Sequence, residues 1–258
     1  MRFNATTGLT PGQYEEVARL VGEAINWDLP NGRPHKLPLH RAVRVTLTYL
    51  RTNLTEEFLA DSYDVSQKTI SRIICHLTGL IGKVLAHFVP SWALVAQVVA
   101  TQVVLLDGTL LPCWSWHDQH RLWSGKHKTT GHNIQVLCTL AGTLVWMSQP
   151  YDGSTHDAKA FADLKLATIL NATNTIADKG YIGCKITTPI RKPAGANLTP
   201  AQQEWNTTIA GYRWIVERDN ANIKTWRILF TDYRRPLRTF TETYTTVRAL
   251  QFFRNSFD

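Results

Sequence analysis

The sequence predicts an α/β protein with an all-α domain at its N-terminus. Through roughly the first 80 residues, apolar side chains recur every three or four positions, which is the period of amphipathic helices. Beyond about residue 100, short β-branched runs alternate with helical segments, as in a sheet flanked by helices. This change of pattern predicts a helical domain at 1–95 and an α/β domain at 96–258.

The composition narrows the class of protein. The 258 residues include 28 Lys and Arg against 20 Asp and Glu, giving a formal charge of +8. Such an excess favours a polyanionic partner, because each phosphate that is neutralised releases counterions. The four cysteines lack paired spacing, which argues against a disulfide framework or a structural zinc. No apolar signal segment opens the chain, and Pro90 interrupts the uncharged stretch before Asp107, so neither secretion nor membrane insertion is expected.

Two helices are predicted in the first 50 residues. One covers 10–26 and starts at Thr10 and Pro11, a residue suited to the first turn of a helix. The other covers 39–50. The segment Asn-Gly-Arg-Pro at 31–34 separates them and is expected to be either a linker or an arm that lies in a DNA minor groove.

The window 55–77 predicts a helix-turn-helix. Thr55 and Ser66 can each cap a helix, and Asp64 begins the turn between the two helices. The second helix has an apolar stripe made of Ile70, Ile73, Ile74 and Leu77. Its opposite face carries side chains of the types that contact bases and phosphates in the major groove, namely Gln67, Lys68, Ser71 and Arg72. The alternative is an ordinary amphipathic hairpin, but a polar face without an acid favours DNA contact.

The second domain begins with strands. One strand is predicted to end at Asp107, and two β-rich runs at 132–140 and 143–148 predict a hairpin that turns at Ala141 and Gly142.

A helix over 157–170, capped by Ser154 or Thr155, is predicted next. A short strand at 175–177 leads to Asp178, and a long helix lies near the C-terminus. Strand, hairpin, helix, strand and helix is the order of a ribonuclease H-like domain, which is a mixed sheet flanked by helices.

Four acidic residues are placed as if to hold divalent metal: Asp107, Asp157, Asp178 and Glu217. Phosphodiester cleavage requires an activated nucleophile and a stabilised leaving oxygen, and two Mg²⁺ ions about 4 Å apart can provide both. Mg²⁺ prefers hard oxygen ligands and needs only a few carboxylates. If the strands ending at Asp107 and Asp178 are neighbours, these two side chains converge.

Arg213, Glu217 and Lys224 are spaced at i, i+4 and i+11, so one helix face presents a carboxylate between two cations. Alone, this spacing describes a surface ion pair worth about 0.3 to 0.5 kcal/mol. Beside two strand-end aspartates it favours a site in which Glu217 approaches the sheet.

Four strings in the second domain carry a family resemblance. They are Asp-Gly-Thr at 107–109, Trp-Ser-Gly-Lys-His-Lys at 123–128, Tyr-Asp-Gly-Ser-Thr-His-Asp at 151–157 and Ala-Asp-Lys-Gly-Tyr-Ile-Gly at 177–183. They resemble the DDE superfamily transposases, and within these the bacterial insertion-sequence group related to Harbinger elements. Residues 37–80 also resemble the helix-turn-helix of that group. The group's Arg, Glu, Lys signature is met, but Ala210 stands where a Tyr is expected, with Tyr212 nearby.

The resemblance implies that Asp107, Asp178 and Glu217 form a catalytic triad that binds Mg²⁺ or Mn²⁺, as two ions. Asp157 is implied as a fourth acidic position at the metal site. Spacing does not settle whether Asp157 or Asp178 is the second member of the triad. We prefer Asp178, because a strand end fixes a carboxylate better than a helix start, where acids are also common as caps.

Other side chains near these strings could contact DNA. Lys126 and Lys128, with His127 between them, are expected either to bind phosphates or to form a solvated basic loop. Arg213 and Lys224 are also expected at DNA. Three tryptophans could stack an unpaired base at about 1 to 3 kcal/mol or belong to the core: Trp114, Trp116 and Trp123. His156 could orient water or phosphate, or only cap and pack.

The function implied by the resemblance is that of a DNA transposase. It would bind terminal inverted repeats, cleave the element ends with divalent metal and join them to target DNA. Because two ends are processed together, a homodimer or higher oligomer is expected, acting in the bacterial cytoplasm at the nucleoid and away from membranes. One alternative is an inactive or domesticated relative that only binds DNA, against which the four acids count. Another is a ribonuclease H-type nuclease without strand transfer, for which the helix-turn-helix would be superfluous.

Overall fold

The computed structural model describes residues 3–28, 34–113, 119–231 and 233–257. Arg33 of the suggested minor-groove arm, together with Trp114 and Trp116, lies outside the described residues. The chain forms two compact units. A helical unit comprises Met1–Val89 and Lys224–Asp258, and a sheet unit comprises Pro90–Ile223.

Within the described residues the α-helices are α1 (Phe3–Thr7), α2 (Pro11–Ala24), α3 (Leu39–Thr52), α4 (Glu56–Tyr63), α5 (Gln67–Val84), α6 (Trp92–Thr101), α7 (Asp157–Asp163), α8 (Pro200–Lys224) and α9 (Phe240–Asn255). The strands are β1 (Val104–Pro112), β2 (Trp123–Ser124), β3 (Thr129–Thr139), β4 (Leu144–Met147), β5 (Tyr151–Asp152) and β6 (Thr175–Ala177). No single helix in this described part is long and apolar enough to span a membrane, although Gln67–Val84 and Ala86–Thr101, separated by a break, meet the length and composition limits as a pair.

The predicted helix-turn-helix is confirmed in the helical unit. The side chain of Thr55 accepts a hydrogen bond from the Phe58 amide, and that of Ser66 accepts one from the Thr69 amide, so both caps form as expected. Asp64 takes the left-handed conformation that ends α4. The apolar stripe of α5 is buried throughout, and its members are Ile70, Ile73, Ile74 and Leu77.

The end of the chain returns to the helical unit, which differs from the predicted division at residue 95. Helix α9 packs against α5, where the Thr246 hydroxyl donates a 2.8 Å hydrogen bond to the carbonyl of Thr78. A Cβ at Gly82 would lie 2.6 Å from the Thr246 hydroxyl, so the glycine allows this close approach. Contacts between residues so distant in sequence leave no local pattern.

The sheet unit has the predicted mixed α/β architecture. Strand β3 pairs antiparallel with β1 and β4, β6 pairs parallel with β1, and β2 and β5 extend the pairing along β3. The expected hairpin joins β3 to β4, with Gly142 at φ +82° in the turn. One face of the sheet packs Leu106 and Leu137 with α6 and α7, while the other packs Leu105 against Ile215 of α8.

Three local predictions in this unit were wrong. Strand β1 does not end at Asp107 but continues to Pro112, because the residues after Asp107 stay paired with β3. Helix α7 is shorter than 157–170: it ends at Asp163, and Lys165 adopts a left-handed φ of +54°. Its N-cap is His156, which forms no side-chain cap hydrogen bond, rather than Ser154 or Thr155.

Candidate active site

Two of the predicted acids lie side by side on neighbouring strands. The parallel pairing of β1 with β6 places Leu106 opposite Ala177. Asp107 and Asp178 each follow one residue later, at the same level of the two strands. The Asp107 side chain is 8% exposed and that of Asp178 is 15% exposed. The register of the sheet therefore brings the backbone of Asp107 and that of Asp178 to neighbouring positions.

Asp157 joins them from the first residue of α7, and two glycines make room for it. A Cβ at Gly108 would lie only 2.1 Å from Oδ1 of Asp157. A Cβ at Gly180 would lie 2.9 Å from Oδ2 of Asp157 and 2.9 Å from Oδ1 of Asp178. Real side chains do not approach so closely, so both positions require glycine for Asp157 to lie where it does.

Amides on β3 hold the carboxylate of Asp157. Asn133 Nδ2 donates a 2.9 Å hydrogen bond to Oδ1 of Asp157, and Gln135 Nε2 donates one of 3.3 Å to the same oxygen. The buried Tyr181 hydroxyl donates in turn to Oε1 of Gln135. Burial, with the three nearby aspartates, raises the pKa of Tyr181 well above its usual value, so the phenol stays protonated as a donor.

The side chain of Lys126 contacts two of these carboxylates from the solvent side. Nζ of Lys126 lies 3.3 Å from Oδ2 of Asp157 and 3.9 Å from Oδ2 of Asp178. It extends from the turn between β2 and β3, in which Lys128 takes a left-handed φ of +53°. Burial acts to lower the pKa of Lys126, but the carboxylates of Asp157 and Asp178 outweigh it, and the pKa is raised. The lysine is therefore a cation at this site.

Asp107 is held from α8. Asn220 Nδ2 donates a 2.8 Å hydrogen bond to Oδ2 of Asp107, and both side chains are buried. Burial is the main reason why the pKa of Asp107 is raised to about 6, and the charge of Asp178 adds to it. Arg213 and Lys126 act in the opposite direction. Because burial and Asp178 disfavour the ionised form of Asp107, a bound cation would stabilise its carboxylate.

Glu217 is not brought into contact with these carboxylates. It lies on α8, its side chain is 60% exposed, and its ion-pair partner among the described residues is Arg213, at 3.4 Å. Within that described part no group of three or more Asp, Glu, His or Cys side chains is arranged to hold a metal ion. The role of Glu217 as third ligand stays a prediction.

The donor set nevertheless fits a hard divalent cation. Mg²⁺ is commonly bound by one or two protein carboxylates and completes its shell with water and substrate phosphate oxygens. Asp107 and Asp178 supply such carboxylates side by side. Beside them, Oδ1 of Asn220 is a buried acceptor that has no hydrogen-bond partner among the described residues.

The remaining predicted residues fall into three places. A cavity of about 230 Å³ beside Asp157 is lined in part by Trp123, Lys126, His127 and His156. On α5, three of the four predicted DNA contacts are exposed and Ser71 is half-buried. Lys128 is exposed in its turn, and Lys224 ends α8 half-buried.

Sequence reasoning missed the amides and the tyrosine of this site. Asn220 lies three residues beyond Glu217 and seven beyond Arg213, which is the same helix face, so the spacing rule applied to those two could have included it. Asn133 and Gln135 flank the apolar Ile134 in the middle of β3, and that polar pair on one face of a buried β-strand was the available signal.

The chain is similar in sequence to known proteins over most of its length. Residues 106–250 match the sequence model of the DDE superfamily endonuclease, and residues 35–86 match that of the helix-turn-helix of DDE superfamily endonuclease. A protein of Streptomyces albus G, named as the transposase for insertion sequence element IS112, is 31% identical over 224 residues, which cover 86% of this chain and 83% of that protein. One of Microchaete diplosiphon, named as the transposase for IS702, is 25% identical over 93% of this chain and 89% of its own length.

DDE superfamily endonuclease domains generally use divalent metal ions, and a helix-turn-helix before such a domain implies DNA binding. Asp107 and Asp178 lie within the range matched by the endonuclease model, and α4 and α5 lie within the range matched by the helix-turn-helix model. By the extent of these matches, the chain belongs to the DDE superfamily of endonucleases.

Proposed function

We propose that this chain is a DNA transposase that binds the terminal inverted repeats of its element, cleaves the ends and joins them to target DNA. The observation that carries the proposal is that Asp107 and Asp178 directly follow the paired residues Leu106 and Ala177 of adjacent strands in a DDE endonuclease domain. The names of the two relatives support strand transfer as the reaction that follows cleavage.

Asp107 and Asp178 would hold Mg²⁺ or Mn²⁺, and Glu217 would complete the set for a second ion. When bound, two such ions supply charge for the attacking and leaving oxygens of an in-line displacement. Asn220 fixes Oδ2 of Asp107, so the other oxygen of this carboxylate remains for a ligand. The buried surroundings exclude water, which strengthens these electrostatic interactions.

DNA would be held at two places. The exposed face of α5, with Gln67, Lys68, Ser71 and Arg72, would enter the major groove at the inverted repeat. On the sheet unit, Lys126, Lys128 and Arg213 would contact phosphates of the cleaved end, and Lys224 would be a further contact to DNA. Because two ends must be processed together, the active form would be a dimer or a higher oligomer.

The test is a cleavage assay on DNA that carries the element's inverted repeats, with Mg²⁺ or Mn²⁺ and a target plasmid. We expect nicked ends followed by joined products. Asp178→Asn should abolish both, while Asp163→Asn, an exposed aspartate at the end of α7, should leave them unchanged. Binding without nicking in either metal would favour the inactive DNA-binding relative, and nicking without joined products would favour a simple nuclease.

A further inference from the structure

The position of Lys126 has a consequence for how this site takes up metal. Its ammonium group lies between Asp157 and Asp178, at 3.3 Å and 3.9 Å from one oxygen of each. Its side chain is 57% exposed and projects from a turn between two strands. It can therefore move outward without disturbing the core of the sheet.

The ammonium lies at the oxygen of Asp178 that a metal ion would take. Oδ1 of Asp178 accepts a 2.8 Å hydrogen bond from the amide of Gly180, so Oδ2 is the freer oxygen, and Lys126 is its ion-pair partner. A divalent cation and an ammonium group about 4 Å apart repel each other, and more strongly at a partly buried site than in water. Lys126 and a metal ion therefore compete for Asp178.

The hydrogen bonds of Asp157 suit this residue to hold the Lys126 side chain in place. Its Oδ1 already accepts hydrogen bonds from Asn133 and Gln135, and its Oδ2 is the oxygen nearest Lys126. Both oxygens are thus engaged by protein groups, and the 3.3 Å contact of Oδ2 with Lys126 is shorter than the 3.9 Å contact of Asp178 with the same lysine.

We propose that Lys126 is a built-in counterion that neutralises Asp157 and Asp178 in the metal-free protein and leaves Asp178 when a divalent ion binds. Asp157 then serves to hold Lys126 and not to bind metal. The turn between β2 and β3 thereby has a regulatory role, which rests on the proposed function. Metal affinity is lower than the carboxylates alone would give, and the free protein avoids unpaired buried acids.

The experiment measures the dissociation constant of Mn²⁺ for the full chain without DNA, by the loss of the free-ion electron paramagnetic resonance signal. Lys126→Met should bind Mn²⁺ about tenfold more tightly than the unmodified chain, and Lys126→Gln should agree with it. Lys126→Arg keeps the charge and should remain close to the unmodified chain. Lys159→Met, which removes an exposed lysine of α7 whose ion pair is with Asp163, is the control and should not change the constant.

The gain should depend on Asp178. In a chain with Asp178→Asn, adding Lys126→Met should give little further tightening, since the competed ligand is gone. Equal or weaker Mn²⁺ binding by both neutral variants would overturn the inference while leaving the metal site intact. Equal binding by the unmodified chain and Asp178→Asn would instead overturn the proposed metal site, and the inference with it.

Discussion

Asn220 of α8 donates a 2.8 Å hydrogen bond to Asp107 of β1, which joins the long helix to the central strand inside the core of the sheet unit. The helix thereby orients the aspartate that the sequence motif Asp-Gly-Thr begins. Through this bond α8 affects the carboxylate site even though its own acid, Glu217, is exposed. Partners of this kind, which fix a ligand without touching the ion, often matter as much as ligands.

Replacement of Asn220 by Ala should therefore reduce cleavage. Loss of the donor leaves Oδ2 of Asp107 buried without its partner, and we expect the rate to fall about 10- to 100-fold. Rates of end nicking at saturating Mg²⁺ measure this. Asn222→Ala, an exposed position on the same helix, is the control and should keep the rate. An unchanged rate for Asn220→Ala would mean that the sheet alone orients Asp107.

The raised pKa of Asp107 predicts how stability depends on pH. Burial and Asp178 raise this pKa from 3.8 to about 6 in the folded protein. The folded state therefore binds the proton more tightly than the unfolded state, and ionisation of Asp107 lowers stability as the pH rises from about 4 to about 6. Asp107→Asn removes this cost.

We expect the metal-free Asp107→Asn variant to be more stable than the unmodified chain at pH 7, by at most about 3 kcal/mol. The difference should shrink as the pH falls and vanish near pH 4. Urea unfolding in a chelator across this range measures it. A difference that does not vary with pH would show that the substitution acts through packing and not through ionisation.

A side chain at position 108 should clash with Asp157. A Cβ there would lie 2.1 Å from Oδ1 of Asp157 and 3.1 Å from Nε2 of Gln135, both within a buried network that cannot move freely. Gly108→Ala should therefore displace Asp157 and lower the free energy of unfolding by about 1 to 3 kcal/mol. Gly125→Ala, whose Cβ would meet no atom within 4 Å among the described residues, should cost much less. Equal losses for the two variants in urea unfolding would contradict the crowding at Gly108.

Local chemistry explains what the sequence predicted well. The caps at Thr55 and Ser66 and the stripe of α5 are set by residues three or four positions apart, so the helix-turn-helix is visible in a short window. The sequence predicts that Asp107 and Asp178 lie close together if their strands are neighbours, and β1 and β6 are neighbours in the sheet. Their parallel pairing is the natural arrangement when a helix connects them.

The remaining contacts depend on side chains that meet only in the folded sheet. The sequence predicts a strand that ends at Asp107, whereas Gly108 continues β1 and gives space to Asp157. The bonds of Asn133 to Asp157 and of Asn220 to Asp107 join positions 24 and 113 residues apart. No periodicity links such positions, so they emerge only with the register of the strands and the placement of α8.

Substitution of Arg72, on the exposed face of α5, should change DNA affinity alone. Arg72→Ala should weaken binding to the inverted repeat and lower the slope of log affinity against log salt concentration by about 1 if a phosphate contact is lost. Fluorescence anisotropy with labelled DNA at several salt concentrations measures both. Lys83→Ala, an exposed cation at the end of the same helix, is the matched control. Affinity and slope that match those of the control would remove Arg72 from the DNA-binding face.

Substitution of Glu217 can test a catalytic role with little effect on stability. The side chain is 60% exposed, and its ion pair with Arg213 joins positions i and i+4 of one helix. Such a pair contributes only about 0.3 to 0.5 kcal/mol, so Glu217→Gln should barely change the unfolding transition. If Glu217 completes the metal site once DNA is bound, the same substitution should lower end cleavage by orders of magnitude while repeat binding persists. Glu204→Gln, an exposed acid nearer the start of α8, should leave all three measurements unchanged. Full cleavage by Glu217→Gln would restrict the ligands to the strand aspartates and leave Glu217 a surface charge.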